Sequence, residues 1–279
     1  MVFSINSTNN FSTRSIGNAQ DKQKEAIERL STMLRINSAK DDAAGSAIFQ
    51  RQTSGIRGAN QAIRNASDGI SFVQTAQGSL SNVSDNLQRM RELAVQAANS
   101  TTTSRGALQT EVNQLSQENT RVNGTSSFAG QAIFPPESQN VSFQVGAEGG
   151  SENQIAVELN SLDGLNSVSS AQGGNAIDLS TAESAQLAID QIDADLEAVS
   201  QQASNFGAVE GRFSAAIASA EEQSLNLQAA RSRIGDADVA KEISKLIQNQ
   251  IRDKANSAVI SQANQSKKMV LSLLGGGKS

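Results

Sequence analysis

Few residues in this chain could do chemistry. The run AKDDAAG sets Lys40, Asp41 and Asp42 side by side, and paired carboxylates serve elsewhere as metal ligands or as an acid/base pair. The same two acids stand just ahead of a long helical pattern. There they would meet the unpaired N–H groups and positive dipole end of a helix, which is the stronger reading. The chain has no His and no Cys, so it has no imidazole base, no thiolate nucleophile and no ordinary zinc site. Carboxylate or Ser–Lys chemistry stays formally open, but no cofactor or metal site is expected. The lack of Cys suits an extracellular protein exported without disulfides, and equally suits a cytosolic one.

The elements that would position any site are mostly helical. The 279 residues include nine Phe but no Trp or Tyr, and the apolar residues are mainly Ala, Ile, Leu and Val. Large aromatics usually fill thick cores, so this composition favours slender helices. The net charge is −5, and Arg51, Arg57, Arg64, Arg89 and Arg91 are scattered among acids rather than gathered in a basic block. Nucleic-acid binding is disfavoured on that ground. No apolar run nears the ~18 residues of a membrane span, so membrane insertion is not expected. The N-terminus lacks the basic-then-apolar order of a Sec-type signal, so export would need another route.

Residues 1–43 carry sparse apolar positions, with helical spacing from about Asp21 to Leu34 and too thin a stripe for an independent helix. A strong helical signal follows through residue 100. Ile56, Ala59, Ile63, Ala66, Ile70, Val73, Ala76, Leu80, Val83, Leu87, Met90, Ala94 and Ala97 advance by threes and fours. The repeated step of three at Ala76 is a stammer. Gly55, Gly58, Gly69 and Gly78 interrupt this stretch and permit either close packing or a break. After NSTTTSRG (99–106), Leu108, Val112, Leu115 and Val122 predict a second helix folding back on the first.

The middle reads differently. Val141, Phe143 and Val145 alternate with polar residues, as do Ile155, Val157 and Leu159, and the turn-rich GAEGGSEN (146–153) lies between them. This predicts a β-hairpin. The stretch 161–176 is rich in Ser, Gly and Asn and predicts an irregular surface loop. From residue 182 the helical pattern returns. Its seam is Ile189, Ile192, Leu196, Val199, Ala203, Phe206, Glu210, Phe213, Ile217, Ala220, Ser224, Leu227, Arg231 and Ile234. At ~1.5 Å per residue this is a rod of roughly 70 Å whose apolar seam needs the helices of 44–122 as its partner. Glu210, Ser224 and Arg231 fall on that seam. One polar seam residue can fix register, and Glu210 and Arg231 either pair with charges on the facing helices or mark a drift that leaves them exposed. Gly235 breaks the rod, and Asp236 or Asp238 can cap a last helix through Val239, Ile243, Leu246, Ile247, Ile251, Ala255, Ala258 and Val259. That helix ends at the glycines of the GGGKS tail.

The expected fold class is therefore mainly α: a long antiparallel coiled-coil or helical-bundle rod with a small β-hairpin region mid-chain. The order is mirrored, with a weak helix at each end. Five segments follow: 1–43, a terminal segment; 44–130, the first part of the rod; 131–180, hairpin and surface loop; 181–235, the second part of the rod; and 236–279, the terminal helix and Gly-rich tail. The thin ends either fray or fold only when packed against neighbouring copies.

Several stretches resemble the ends of bacterial flagellins. They are IERLSTMLRINSAKDDAAGSAI (27–48), RNASDGISFVQTAQGSL (64–80), LQRMRELAVQAANST (87–101), SRIGDADVAKEIS (232–244), and ISQANQ followed by VLSLL (260–274). The five fall in the family's order at both termini. The resemblance implies a structural subunit, not an enzyme. It would be exported unfolded by the flagellar type III apparatus and polymerise with itself into an extracellular filament for swimming. The N- and C-terminal helices would pair in the filament core. It further implies an export chaperone and the hook-associated and cap proteins as partners. The hook–filament junction protein of the same superfamily is the alternative, and AVQAANST and RINSAKDD favour flagellin over it. A glycan-binding or hydrolytic module in 131–180 is a third reading, but that region is short and lacks a suitable side-chain set.

The sequence departs from the family pattern at Met33, where flagellins usually have Gly, at Ser266–Met269, which adds two charges, and in the GGGKS extension. By position, LQRMRELAVQAANST resembles the segment that a host Toll-like receptor recognises, with Gln88, Arg89, Leu93 and Gln96, and Glu111 from the next helix, as contacts. The same residues would instead bind the next subunit, which is the preferred reading. The Ser/Thr-rich stretches 100–104 and 166–170 could carry O-linked sugars, as in some flagellins.

Overall fold

The computed structural model describes residues 2–168 and 177–275, with side chains at 14–168, 177–269 and 272. Residues 169–176, which include Ser169 and Ser170, and most of the GGGKS tail lie outside the described residues. Five helices and four strands follow in the order α1 (Val2–Thr32), α2 (Ala43–Ala98), α3 (Arg105–Thr125), β1 (Ser127–Phe128), β2 (Gln131–Ala132), β3 (Gln139–Gln144), β4 (Gln154–Leu159), α4 (Ala182–Gly235) and α5 (Val239–Gly275). The fold is mainly α with a small β part, as expected. The chain divides into two compact units, Met1–Ser54 with Asn226–Ser279, and Gly55–Leu225.

In Gly55–Leu225, α2 and α4 run antiparallel. Arg91 meets Asp193 at 2.6 Å, Gln74 meets Glu210 at 2.9 Å, and Asn60 meets Ser224 at 3.2 Å. α3 folds back on α2, with Asn86 donating to Asn119 at 2.8 Å. The turn is fastened by Arg105, whose guanidinium donates to the Ala97 and Asn99 carbonyls at 2.8 Å each and so serves the open C-terminal end of α2. The core joins Val73, Leu80, Val83, Leu87 and Met90 of α2, Leu108, Val112 and Val122 of α3, and Ile192, Val199, Phe206 and Phe213 of α4.

The seam of α2 differs from expectation between 62 and 72. Ala62, Gly69 and Phe72 are buried, whereas Ile63 and Ile70 are only half-buried. Gly69 explains the shift. A Cβ there would come within 2.5 Å of the Phe213 ring, so the missing side chain is the space this ring fills. The glycines of α2 therefore do not break it; the helix is continuous from Ala43 to Ala98.

The expected hairpin forms, with Val141 opposite Val157 and Phe143 opposite Ile155. β4 buries Ile155, Val157 and Leu159 and exposes the residues between them. Phe143 packs edge-on to Phe213 with centroids 5.4 Å apart and lies 5.9 Å from Phe72, which fixes the hairpin to α2 and α4. The small β1–β2 pair turns through Ala129 and Gly130, both at positive φ, and was not expected.

The stretch after β4 corrects the surface-loop reading. It is irregular, but Leu162, Leu165, Val168, Ile177 and Leu179 are buried. Two side chains replace the missing regular hydrogen bonds. The buried Asp195 carboxylate accepts from the Asn166 and Ser167 N–H groups at 3.0 and 2.7 Å. The Gln109 amide donates to the Ile177 carbonyl at 2.8 Å and accepts from the Leu179 N–H at 2.6 Å.

In the other unit, α1 and α5 lie side by side and antiparallel, with Arg29 3.8 Å from Glu242. α1 is helical from Val2, not only from Asp21, and it ends at Thr32; Leu34 is instead bridged to Asp236. Asp42 caps α2, accepting the Gly45 N–H at 2.9 Å, and Asp238 caps α5, accepting the Lys241 N–H at 3.1 Å. Asp236, the other candidate cap, takes the Ser232 hydroxyl instead.

Candidate assembly surface

A helix pair in water normally turns its apolar stripe inward. α5 does not. Its buried and half-buried side chains include Glu242, Lys245, Asn249, Asp253 and Asn256. Glu242 is buried and held by Lys245 at 2.6 Å and Arg29 at 3.8 Å. Against this polar stripe α1 sets the small buried residues Ala19 and Ala26. Outside remain Val239, Ile243, Ile247, Ile251, Val259 and Met269, together with Ile27 of α1; Ile251 is 63% exposed. The first four are spaced by four residues, so they form one ridge winding slowly about α5. Full burial of such a side chain is worth about 1.5–3 kcal/mol, so a row of them is a substantial unmet drive to associate.

The paired acids Asp41 and Asp42 do structural work. Asp42 is the cap described above. Asp41 accepts from the N–H groups of Ser38 at 3.0 Å and Asn37 at 3.1 Å, and those bonds hold its carboxyl below the usual carboxylate range. Among the described residues no cluster of three or more acidic side chains is arranged to hold a metal ion. None of the described helices is long and apolar enough to cross a membrane.

The second set of residues lies where α2 meets α3. Gln88, Arg89 and Gln96 are exposed, and Arg89 pairs with Glu111 at 2.8 Å and with Glu92 at 3.0 Å. The bond to Glu111, and then that to Glu92, raises the Arg89 pKa further. Leu93 stands apart from the other four. It is 2% exposed and belongs to the core, because the helix turns that position toward α3 and α4. Beside this strip, Arg91 binds Asp193 through Nε at 2.6 Å and holds that carboxyl below its ordinary value.

On α4, Ile192, Val199, Phe206 and Phe213 are buried, and Ile189, Leu196, Ile217, Leu227 and Ile234 are half-buried. The polar seam residues do not meet opposite charges. Glu210 accepts from the neutral amides of Gln74 at 2.9 Å and Gln77 at 3.4 Å, since those are the residues α2 presents there. Arg231 lies over the Phe49 ring, 5.7 Å from its centroid.

Comparison with known proteins decides what these surfaces belong to. Two family models match, the bacterial flagellin N-terminal helical region over residues 3–138 and the bacterial flagellin C-terminal helical region over residues 189–274. The chain is 42% identical to a flagellin of Halalkalibacterium halodurans over 263 residues, covering 94% of this chain and 95% of that one. The chain belongs to the bacterial flagellin family. A flagellin of Bacillus subtilis is 33% identical over 302 residues, covering 98% of each chain. A crystal structure of Bacillus cereus flagellin aligns with 60% of this chain and 94% of its own, at 24% identity and a TM-score of 0.46. The flagellin is a structural filament subunit that polymerises with itself, not an enzyme, and the junction-protein alternative is not favoured. Sequence reasoning named the isoleucines of α5 but not which way they face. Their four-residue spacing was the available signal.

Proposed function

We propose that this flagellin is exported unfolded through the flagellar type III apparatus and builds an extracellular filament for swimming. In this reading 1–43 and 236–279 form the filament core, 44–130 and 181–235 the helical layer around it, and 131–180 the outward part. An export chaperone and the hook-associated and cap proteins serve it, and the strip of Gln88, Arg89, Gln96 and Glu111 contacts the next subunit before any host Toll-like receptor. The exposed ridge of α5 carries the reading, because so long an apolar row favours association, and a polymer of this chain brings neighbouring copies of α1 and α5 to it. The test is elongation of sheared filament seeds by purified subunit, followed by electron microscopy and by hydrogen exchange of α5 before and after. We expect long filaments and strong protection of residues 239–260 on assembly. Seeds that do not lengthen, or an α5 equally protected in the free subunit, would refute it.

A further inference from the structure

Within the unit of residues 1–54 and 226–279, two breaks in the helices meet. One lies between α1 and α2, the other between α4 and α5. Where a helix ends, its last four carbonyls lack intrahelical partners. At the end of α4 the Ser232 carbonyl accepts from the Asp236 N–H at 3.0 Å. Arg35 serves two more. Its peptide N–H donates to the Gly235 carbonyl at 2.6 Å, and its guanidinium donates to the Ile234 carbonyl through Nε at 3.1 Å and also through Nη2. A cation at this end of a helix also meets the negative pole of the dipole. The Ala237 N–H returns a bond to the Met33 carbonyl at 2.9 Å, completing the bridge between Leu34 and Asp236.

The surroundings hold this clasp in place. Gly235 lies against Phe49 so closely that a Cβ there would come within 2.2 Å of the ring, and Arg231 covers the same ring. Ile36 is buried beside the clasp, and Met33 makes the bend at φ +56°. The Arg35 side chain itself is exposed, so its contribution is the bond to the Ile234 carbonyl and not core packing.

We infer that Arg35 is a positioning residue for polymerisation: it clasps the α1–α2 break to the α4–α5 break, so that α1 and α5 start as neighbours. The polar α1–α5 contact is a poor device for finding its own partner. The clasp supplies that pairing in advance and lowers the ordering needed when a subunit joins the filament. This rests on the filament reading, and parent subunit that fails to elongate seeds would count against that reading instead.

The test compares parent, Arg35→Gln and Arg35→Lys in three measurements: thermal melting, hydrogen exchange at the Ala237 amide, and critical concentration in seeded elongation. For Arg35→Gln we expect unchanged melting of residues 55–225, about tenfold faster exchange at Ala237, and a critical concentration raised about fivefold. Arg35→Lys, which keeps the charge at the helix end, should recover part of both changes. A critical concentration within about twofold of the parent, or unchanged exchange at Ala237, overturns the inference. Met33→Gly keeps it testable if Arg35→Gln fails to fold. Relaxing the left-handed residue should tighten the clasp, slow Ala237 exchange and lower the critical concentration, and no change in either would equally overturn the inference.

Discussion

In residues 55–225, α2 and α4 turn toward each other Val73, Leu80, Leu87, Phe206 and Phe213, all buried. α5 turns Glu242, Asn249 and Asp253 toward the α1 side and leaves Ile243, Ile247 and Ile251 outside. Both pairs are long antiparallel helices from one chain, so helix propensity does not separate them. The difference lies in where the apolar surface is satisfied. The first pair completes its core within one subunit. The second holds its own contact with small and polar groups and leaves its apolar ridge exposed. A filament subunit needs both arrangements: a part that folds alone, and a part whose burial is gained only by joining.

Substitutions on each side can break this contrast. The largest effect is expected from Phe213→Ala, which empties the space beside Gly69 and removes the partner of Phe143. It should cost about 3–5 kcal/mol and sharply lower the melting temperature measured by calorimetry. A loss below about 1 kcal/mol would mean that this seam does not hold the subunit together.

Ile251→Asp should do the reverse. At 63% exposed, this site should change subunit melting by no more than about 0.5 kcal/mol. A carboxylate buried among neighbouring copies, however, should raise the critical concentration at least ~30-fold, equivalent to about 2 kcal/mol. Normal elongation by this variant would place the ridge outside the assembled contacts.

The smallest effect concerns the surface pair Arg91–Asp193. Arg91 lowers the Asp193 carboxyl from 3.8, so the folded state binds its proton less readily than the unfolded chain. The contribution is therefore present above pH 3.8 and lost as pH falls through the folded value. Both partners are well exposed to solvent, so the contribution is small. Asp193→Asn should melt slightly below the parent at neutral pH, with the gap closing in acid. A gap that persists at about pH 2 would trace the loss to something other than the charge.

Much of this was legible in the residues because the signals are local. The alternation of Val141, Phe143 and Val145 with Ile155, Val157 and Leu159 predicted the hairpin. The three–four spacing from Ile189 to Ile234 predicted α4. What was missed depended on distant partners. Ile63 and Ile70 looked like seam residues until Phe213 claimed the gap at Gly69. Glu210 and Arg231 were left open between ion pairs and exposure, and they met glutamines and a phenyl ring. Leu93, a surface contact by resemblance, went to the core. The stretch 161–168 is a loop as expected but looked like a surface one, because its polar residues outnumber Leu162, Leu165 and Val168, and nothing nearby in sequence announces the Asp195 carboxylate that anchors it.

The sequence by itself determined the mirrored order of helices, the β-hairpin between them and the absence of His and Cys chemistry, since periodicity and composition need no knowledge of the fold. Tertiary structure alone decided which face of each helix is spoken for. The same isoleucine spacing serves as inner seam or outer ridge, and only the packed neighbours tell them apart. It also decided the joint at Met33–Arg35 and Ile234–Ala237. Its bonds link peptide groups about 200 residues apart along the chain, and backbone N–H and carbonyl groups leave no mark in side-chain pattern.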